Sequence, residues 1–424
     1  MSSASKRPAP SHAATASPPA KVLRKEDQAS PTLRKADRQV QWRTESGANS
    51  TLLHATYGQP QPSEKIAAFA LDHCLVKFEA PTYSWQGPKD WQWNDLADVP
   101  PVKTPTKNRL EDFKERVGYI LRDLNLPVRL LASTQYDPFR FPAPAAWLEF
   151  EKRWNGGKVI DLGESFFVGD AAGRAGQKLD YDHKFADNIG VQFYIPKNFF
   201  TGTEDTNQYQ YHGWLAAKYK SDFFVLPTST PLIPKQLVVG IDEVPPEVIL
   251  FVGPPCSGKT HFYRRYFEPL GYVRLTDPED TNTLQHLLSA TVKPKSVVVD
   301  ALMPSAGTRS TLARFVRAYS KSNHRVRCFH FVAVEHLCKH NSVFFHLYGA
   351  EKDGQRPRFV TEDDFRNWYS RWEKPTQEEG FDEVVKRINF VIDRKGLGDE
   401  EVYKKWRSKY LNCYPRDMSG KDTN

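Results

Sequence analysis

Short apolar runs alternate with stretches of helical periodicity along most of this chain. The apolar runs, each long enough for one strand, occupy residues 66–71, 166–168, 248–252, 297–299 and 326–333. Residues 110–126 and 147–154 instead place apolar side chains about 3.6 positions apart, which is the spacing of an amphipathic helix. Strands that alternate with helices predict an α/β fold in which the sheets are mostly parallel.

This pattern divides the 424 residues into two folded regions, which suits a length that typically supports two or three domains. The first α/β region is expected at residues 61–203 and the second at residues 244–395, with a proline-containing connector at residues 204–243. Residues 1–60 combine Ser, Ala, Pro and basic residues without periodicity and are expected to be disordered. Residues 396–424 are expected to form a polar C-terminal tail.

Composition and charge narrow the class of protein. With 39% hydrophobic residues and no run near the roughly 18 apolar residues that a membrane span needs, no membrane association is expected. Five scattered cysteines without metal-ligand spacing favour a reducing compartment. The net charge of +8 and the pI near 9.0 favour a polyanion such as nucleic acid, although a solvated basic surface explains them equally well. Short basic clusters near the N-terminus favour nuclear localisation, and the Ser, Ala and Arg content leaves a mitochondrial presequence open.

The most informative motif follows the apolar run at residues 248–252. Residues 253–260, called the phosphate loop below, match the pattern G-x-x-x-x-G-K-[ST] and lead into a candidate helix at residues 261–267. In this motif the glycines let backbone N–H groups face phosphates, the lysine reaches the β and γ phosphates, and the threonine hydroxyl binds Mg²⁺. The motif therefore predicts an ATP site with Mg²⁺, in which Thr260 is the metal ligand. The residues expected to hold the nucleotide are Gly253, Ser257, Gly258, Lys259 and Thr260.

Transfer of a phosphoryl group needs further residues, namely a carboxylate near the attacking hydroxyl and cations over the transferring phosphate. Asp277 and Asp280 follow the helix of the phosphate loop, at a position suited to a catalytic base. Asp300 comes directly after the apolar run at residues 297–299, and Arg309 follows shortly afterwards as a candidate cation. The sequence leaves open whether Asp277 or Asp280 is the base.

Beyond the phosphate loop, several segments make the chain resemble the bifunctional polynucleotide kinase 3′-phosphatase family. The resemblance covers roughly residues 64–395, and in the second region it is carried by residues 271–273, 299–304, 327–331, 340–341 and 369–381. It implies a P-loop kinase domain that transfers the γ-phosphate of ATP to a 5′-hydroxyl group of a nucleic acid strand. DNA ends are favoured over RNA as the partner, and repair of DNA strand ends is the implied process.

In the first region the strongest match lies at residues 147–200, and it implies a haloacid-dehalogenase-like (HAD-like) phosphatase domain. In such enzymes one aspartate attacks phosphorus and a second, two residues later, protonates the leaving oxygen. By this resemblance, Ala70 occupies the position of the nucleophile and Asp72 that of the acid–base. Asp170 and Asp182 remain as carboxylates of the degenerate site. Losing one member of such a unit can cost about 10⁶ in rate, so the resemblance implies a pseudophosphatase.

The chain departs from the family in both regions. In the first, the strand with the phosphate-binding Thr-Asn or Ser-Asn is missing before residue 109, and the lysine expected before Pro142 is replaced. In the second, residues 343–345 replace the lid arginines, whose loss removes charge stabilisation from phosphoryl transfer. Two functions stay open: a 5′-hydroxyl kinase with an inactive phosphatase half, or a non-catalytic scaffold that binds nucleic acid or proteins. Repair proteins are the expected partners of residues 1–60.

Overall fold

The computed structural model describes two compact units. The first comprises Met1–Gly47, Leu53–Leu131 and Glu149–Tyr211, and the second comprises Ala48–Leu52, Ala132–Leu148 and His212–Asn424. Within them the structure describes residues 39–44, 51–77, 92–93, 109–219, 246–290, 294–349, 357–383, 385–390 and 400–413. Most of the expected connector, and the place of the missing phosphatase strand, lie outside these residues. Among the described helices, none is both long and apolar enough to cross a lipid bilayer.

The described elements before residue 219 are mostly short. The strands are β1 (Val40–Thr44), β2 (Leu52–Tyr57), β3 (Ala67–Phe69), β4 (Val76–Lys77), β5 (Gln92–Trp93), β6 (Val128–Ser133), β7 (Phe166–Val168) and β8 (Gln192–Tyr194). The helices are α1 (Arg109–Leu124), α2 (Ala145–Glu149), α3 (Tyr181–Ile189) and α4 (Pro196–Thr201), with a π-helical segment at Phe150–Trp154 and a 3-10 turn at Ala216–Lys218. The two periodic segments identified in the sequence are therefore helical, and the second of them is partly π-helical.

Three parallel strands form a sheet in the first unit, in the order β3-β7-β8. Ala67 of β3 lies opposite Phe166 of β7, which in turn lies opposite Gln192 of β8. The sheet packs against Phe199 of α4, whose ring centroid is 5.2 Å from that of Phe166. The predicted α/β arrangement with a parallel sheet is thus confirmed for this region.

A second sheet, in the order β1-β2-β6, corrects the expected disorder of residues 1–60. Tyr57, at the end of β2, is 1% exposed and packs in a cluster with Val117 and Leu121 of α1. The polar composition of the segment hid this sheet, although Leu52, Leu53, Ala55 and Tyr57 of β2 are all buried. The chain before residue 39 lies outside the described residues, so its expected disorder stays a prediction.

The second unit contains a larger set of elements, which begins with the strand before the phosphate loop. The strands are β9 (Glu247–Val252), β10 (Val273–Leu275), β11 (Val297–Asp300), β12 (Arg325–Val332) and β13 (Lys386–Asn389). The helices are α5 (Lys259–Tyr266), α6 (Thr281–Ser289), α7 (Ala306–Tyr319), α8 (Glu335–Tyr348), α9 (Glu362–Tyr369) and α10 (Glu400–Ser408), with 3-10 turns at Glu268–Leu270 and Gln377–Glu379. The three strands predicted in this region are present, with bounds shifted by one residue at most.

All five strands of this unit are parallel and lie in the order β10-β11-β9-β12-β13. Every residue of the central strand β9 is buried. Val248 and Leu250 pack in the cluster that includes α6 and α7, whereas Ile249 and Phe251 pack with α5 on the opposite face. The phosphate loop therefore opens at the carboxyl edge of the sheet, beside the point where the strand order reverses, which is where open α/β sheets bind ligands.

Helix α10 corrects the expected polar C-terminal tail. Trp406 is 2% exposed and packs in a cluster with Phe344 of α8 and Phe365 of α9. Val402 lies one turn before Trp406 and packs against the same cluster. The segment is polar in composition because charged residues cover the other face of the helix, as in any amphipathic surface helix.

The boundary between the units also differs from the predicted one. The sequence places residues 132–148 in the first region, but Ala143 is fully buried in a cluster with Ala216 and Cys413 of the second unit. This packing joins segments that are far apart in the chain, which hydrophobic periodicity does not register. Long-range packing therefore groups residues 132–148 with the second unit.

Candidate functional site

The phosphate loop connects the end of β9 to the first turn of α5. A Cβ atom at Gly253 would lie 2.6 Å from the carbonyl oxygen of Phe331, so glycine is needed where the loop passes β12. Gly258 has a φ of +92° and is the N-cap of α5, and Cys256 also has a positive φ of +58°. Backbone turns that include left-handed residues form concave sites in which N–H groups bind anions.

Lys259 is buried at the first position of α5, and its ammonium group lies inside the phosphate loop. Its Nζ donates hydrogen bonds to the carbonyl oxygens of Gly253 at 2.9 Å and Pro254 at 2.7 Å. Ser257 supports the same turn by donating its hydroxyl to the Pro254 oxygen at 2.8 Å. Burial lowers the pKa of Lys259, because desolvation disfavours the charged ammonium. The loop therefore holds a partly desolvated cation that a bound phosphate would stabilise.

Thr260 and Asp300, both expected at the site, are in direct contact. The Thr260 hydroxyl donates to Oδ2 of Asp300 at 2.7 Å. Arg274 joins them: its Nε donates to the same carboxylate oxygen at 2.8 Å, and one terminal nitrogen lies 2.6 Å from that oxygen. The same terminal nitrogen donates to the Thr260 hydroxyl at 3.0 Å. The Asp300 side chain is only 2% exposed, so the guanidinium neutralises a buried carboxylate.

Arg274 was not among the residues expected from the sequence. It stands between Val273 and Leu275 in the edge strand β10, and its side chain is 28% exposed. Its sequence signal was a single charged residue within a short apolar strand. That signal points to Asp300 only because β10 and β11 are neighbours in the sheet, with Arg274 opposite Val298.

The motif implies a Mg²⁺ ion beside the Thr260 hydroxyl and the Asp300 carboxylate. A hydroxyl and a carboxylate are oxygen ligands that suit Mg²⁺, which requires near-octahedral geometry at about 2.0–2.1 Å. Here the Thr260 hydroxyl and the Asp300 carboxylate are already occupied by each other and by Arg274. A divalent ion bound to them would lie against the guanidinium charge, so the arrangement does not fit Mg²⁺ while Arg274 is in place. Among the described residues, no group of three or more His, Cys, Asp or Glu side chains is arranged to hold a metal ion.

The two candidate bases both lie at the start of α6 and have local partners. Asp277 is exposed, and its Oδ1 accepts a hydrogen bond from the backbone N–H of Glu279 at 2.9 Å. Asp280 is the N-cap of α6 and accepts from the N–H of Thr283 at 3.0 Å. Hydrogen bonds from Thr283 hold the pKa of Asp280 below its usual value. These contacts do not single out one of the two carboxylates as the base.

Arg309 is buried in the core of the second unit and paired with Glu379, whereas a catalytic cation is expected to face the transferring phosphate. The residue is fully buried, and its Nε and one terminal nitrogen donate to the two carboxylate oxygens of Glu379 at 2.7 and 2.8 Å. Its other terminal nitrogen donates to the carbonyl oxygens of Met303 and Pro304. These bonds give Arg309 a structural role, in contrast with the role over the transferring phosphate that the sequence suggested.

The phosphate loop is positioned by Asn341 and Trp406, neither of which was predicted as a site residue. Asn341 of α8 is fully buried and donates from Nδ2 to the carbonyl oxygen of Cys256 at 3.0 Å. Its Oδ1 accepts from the indole N–H of Trp406 at 2.9 Å. The neighbouring His340 is also buried, and burial lowers the pKa of its imidazole to about 3, so it is neutral. The sequence pair at residues 340–341 was noted for the family resemblance, but its partner in α10 was missed.

In the first unit, Ala70 comes directly after β3, at the carboxyl edge of the parallel sheet. Its backbone N–H donates to the carbonyl oxygen of Val168 at 2.9 Å, and Cys74 donates its thiol to the same oxygen at 3.3 Å. A methyl group at this position offers no nucleophilic atom. Asp72 lies two residues further on and remains exposed, although the protein around its carboxyl group raises the pKa of Asp72 by desolvation.

Asp170 and Asp182 lie near each other beyond the end of β7. Oδ1 of Asp170 accepts from Arg174 at 2.5 Å, and Gln177 donates to Oδ2 at 3.3 Å. Asp182 is 2% exposed, its Oδ2 accepts from the N–H of Ala171 at 3.0 Å, and Oδ1 has no hydrogen-bond partner among the described residues. Burial, together with the Asp170 charge, raises the pKa of Asp182 to about 7. An arginine thus supplies positive charge beside the remaining carboxylates.

Comparison with solved structures gives only weak likenesses. Kti12 of Chaetomium thermophilum in complex with ADP-AlF3 is 16% identical, with a TM-score of 0.26 over 38% of this chain and 99% of that one. A fungal RNA kinase is 10% identical, with a TM-score of 0.28 over 38% of this chain and 42% of that one. At these TM-scores neither structure indicates the fold or the function of this chain.

Comparison of sequences is more informative. The family model described as polynucleotide kinase 3 phosphatase matches residues 99–200. The bifunctional polynucleotide phosphatase/kinase of Schizosaccharomyces pombe is 28% identical over 376 residues, which cover 82% of this chain and 84% of that protein. The polynucleotide 3′-phosphatase ZDP of Arabidopsis thaliana is 27% identical over 167 residues, covering 32% of this chain and 24% of that protein. The family-model match and the similarity to the fission yeast protein support a divergent member of the polynucleotide kinase 3 phosphatase family.

Proposed function

We propose that the chain binds ATP at the phosphate loop and transfers the γ-phosphate to 5′-hydroxyl ends of nucleic acid. The observation that carries the proposal is the buried Lys259 ammonium, held by the carbonyl groups of a glycine-dependent loop at the carboxyl edge of the sheet. The name of the fission yeast relative supports a polynucleotide as the acceptor. DNA ends are favoured over RNA, and repair of DNA ends in the nucleus is part of the proposal.

The acceptor hydroxyl must lose a proton during the transfer, and Asp277 is the first choice for the base. Its carboxylate is exposed and accepts one backbone hydrogen bond, which leaves a second oxygen for a substrate hydroxyl. Asp280 is the alternative base; it is the N-cap of α6, where hydrogen bonds from Thr283 hold its pKa below its usual value. No step of this proposal runs through Mg²⁺, because Arg274 holds both of its candidate ligands.

We further propose that the first unit keeps a HAD-like shape without phosphatase activity. Ala70 cannot form a covalent phosphoryl intermediate, whether or not the carboxyl group of Asp72 is protonated. Asp170 is engaged by Arg174 and Gln177, so it is poorly placed to bind a cation that would neutralise a substrate phosphate. These two observations support an inactive phosphatase half.

A second candidate function is a scaffold that binds nucleic acid or proteins without catalysis. It is favoured by the contacts of Arg274 with Thr260 and Asp300, which remove the expected metal ligands. The burial of Arg309 points the same way, because it leaves this arginine unable to stabilise a transferring phosphate. In this alternative, ATP stabilises the fold and is not a substrate.

Transfer of labelled γ-phosphate from ATP to a 5′-hydroxyl oligonucleotide separates the two candidates. The kinase proposal expects labelled DNA with the wild type and none with Lys259→Ala, and less product with an RNA strand of the same sequence. Retained binding of ATP and DNA without any transfer would favour the scaffold. The same preparations, incubated with a 3′-phosphate oligonucleotide, should release no phosphate. Release that disappears on Asp72→Asn would contradict the inactive phosphatase half.

A further inference from the structure

Arg274 makes contacts that neither ATP binding nor phosphoryl transfer requires. Its guanidinium lies between Thr260 of the phosphate loop and Asp300 at the end of β11, within hydrogen-bond distance of both. The two partners come from different elements, and the motif assigns the first of them to Mg²⁺. The position of Arg274 is therefore the position where a divalent cation is expected.

The charge of Asp300 explains why a cation is needed there. The carboxylate is 2% exposed, and a buried carboxylate is costly unless it is paired and hydrogen-bonded. Oδ2 accepts hydrogen bonds from the Thr260 hydroxyl and from Nε of Arg274, and a terminal nitrogen of Arg274 forms an ion pair with it at 2.6 Å. The carboxylate is thus neutralised without any metal.

The remaining donors of Arg274 are suited to a phosphate. A guanidinium carries five N–H groups, and the described contacts use Nε and one terminal nitrogen. The other terminal nitrogen makes no hydrogen bond within the part of the chain that the structure describes, and the side chain is 28% exposed. The two N–H groups of this nitrogen can donate charge-assisted hydrogen bonds to phosphate oxygens.

We propose that Arg274 is the resident cation of the nucleotide site, so that ATP binds without Mg²⁺. The guanidinium takes the place of the ion beside Thr260 and Asp300 and donates to the terminal phosphates, which Lys259 also contacts. This inference rests on the proposed ATP binding, and it does not depend on phosphoryl transfer. It makes Arg274 the residue that determines which form of the nucleotide the site accepts, free ATP or its Mg²⁺ complex.

Calorimetric titration of ATP in excess EDTA and in excess MgCl₂ tests this inference. The wild type should bind ATP in EDTA at least as tightly as in MgCl₂. In Arg274→Gln, the affinity in EDTA should fall by about tenfold, the effect of about one charge-assisted hydrogen bond, and MgCl₂ should restore it because Thr260 and Asp300 become available. Arg264→Gln, the same change on an exposed arginine of α5, should bind like the wild type in both buffers.

The outcomes separate this inference from the proposed function. Wild-type binding that is lost in EDTA and restored by MgCl₂ overturns the role of Arg274 but keeps the ATP site. No wild-type binding in either buffer overturns both. Circular dichroism checks that Arg274→Gln is folded, since it leaves Asp300 without its partner. If that variant unfolds, the comparison of wild-type affinities in EDTA and in MgCl₂ still tests the role of Arg274. Arg274→Lys keeps the charge but loses the planar guanidinium, so it should weaken ATP binding in EDTA by less than a neutral residue would.

Discussion

The indole N–H of Trp406 donates a hydrogen bond of 2.9 Å to Oδ1 of Asn341, and both side chains are buried. The amide of Asn341 in turn donates to the carbonyl oxygen of Cys256, within the phosphate loop, at 3.0 Å. Helix α10 therefore fixes one peptide group of the phosphate loop through a single intermediate residue. Buried chains of this kind hold a unique geometry when every member is satisfied.

Trp406→Phe should weaken both the fold and the nucleotide site. The phenyl ring keeps most of the packing but leaves Oδ1 of Asn341 buried without its donor, so the free energy of unfolding should fall by about 1–3 kcal/mol. ATP affinity should also fall, because Asn341 is then less fixed against Cys256. Urea denaturation and calorimetry measure the two effects. With Asn341→Ala as the second mutation, a double-mutant cycle should give a coupling of about 0.5–3 kcal/mol, and no coupling would contradict the link.

Arg309→Gln should destabilise the protein without a specific effect on the nucleotide site. Its removal leaves the buried Glu379 carboxylate unpaired, which is expected to cost about 3–5 kcal/mol in unfolding free energy. Arg314→Gln, on an exposed position of the same helix α7, should change stability by less than about 0.5 kcal/mol. Chemical denaturation compares them. A stable Arg309→Gln variant with normal ATP binding but no phosphoryl transfer would restore the catalytic role that the sequence suggested.

Asp182 should make stability depend on pH between about 4 and 7. Burial raises its pKa from 3.8 to about 7, so over this range the folded state keeps a proton that the unfolded state has lost. The free energy of unfolding should therefore fall as pH rises, by up to about 1.4 kcal/mol per pH unit from this group. Asp182→Asn should remove this part of the slope in urea denaturation across the range. The exposed Asp161→Asn serves as control, and equal slopes in both variants would contradict the assignment.

Ala70→Asp should not create a phosphatase. The new carboxylate would stand at the end of β3, but Asp170 would stay engaged by Arg174 and Gln177, and the lysine expected before Pro142 would still be missing. Release of phosphate from a 3′-phosphate oligonucleotide is the measurement, and Ala70→Asn is the matched control that lacks the nucleophile. Turnover by the aspartate variant alone would show that only the nucleophile had been lost.

The phosphate loop could be predicted because all the residues of its motif lie within residues 253–260. Gly253, Gly258 and Lys259 act through their own backbone or through carbonyl groups a few positions away, so spacing alone places them. The strand before the loop is equally local, since all its residues are buried in a parallel sheet and form a continuous apolar run.

The contacts between elements could not be predicted in the same way. Arg274 reaches Asp300 across two neighbouring strands, and Trp406 reaches Asn341 from 65 residues away. The ion pair of Arg309 could not be predicted, because an arginine after a strand suits a phosphate or a buried carboxylate equally well, and only packing places Glu379 beside it. The early strand that ends at Tyr57 was missed because the polar composition around it outweighed the apolar residues.

Equilibrium binding of ATP to the wild type and to Lys259→Ala tests the central claim most directly. We expect saturable binding of one ATP per wild-type chain and an affinity at least about tenfold weaker for Lys259→Ala, because this substitution removes the buried ammonium that is proposed to contact the phosphates. Both proteins should unfold cooperatively, which shows that the loss is local to the loop. Equal affinities for the two folded proteins, or no binding by the wild type, would contradict a nucleotide site at residues 253–260.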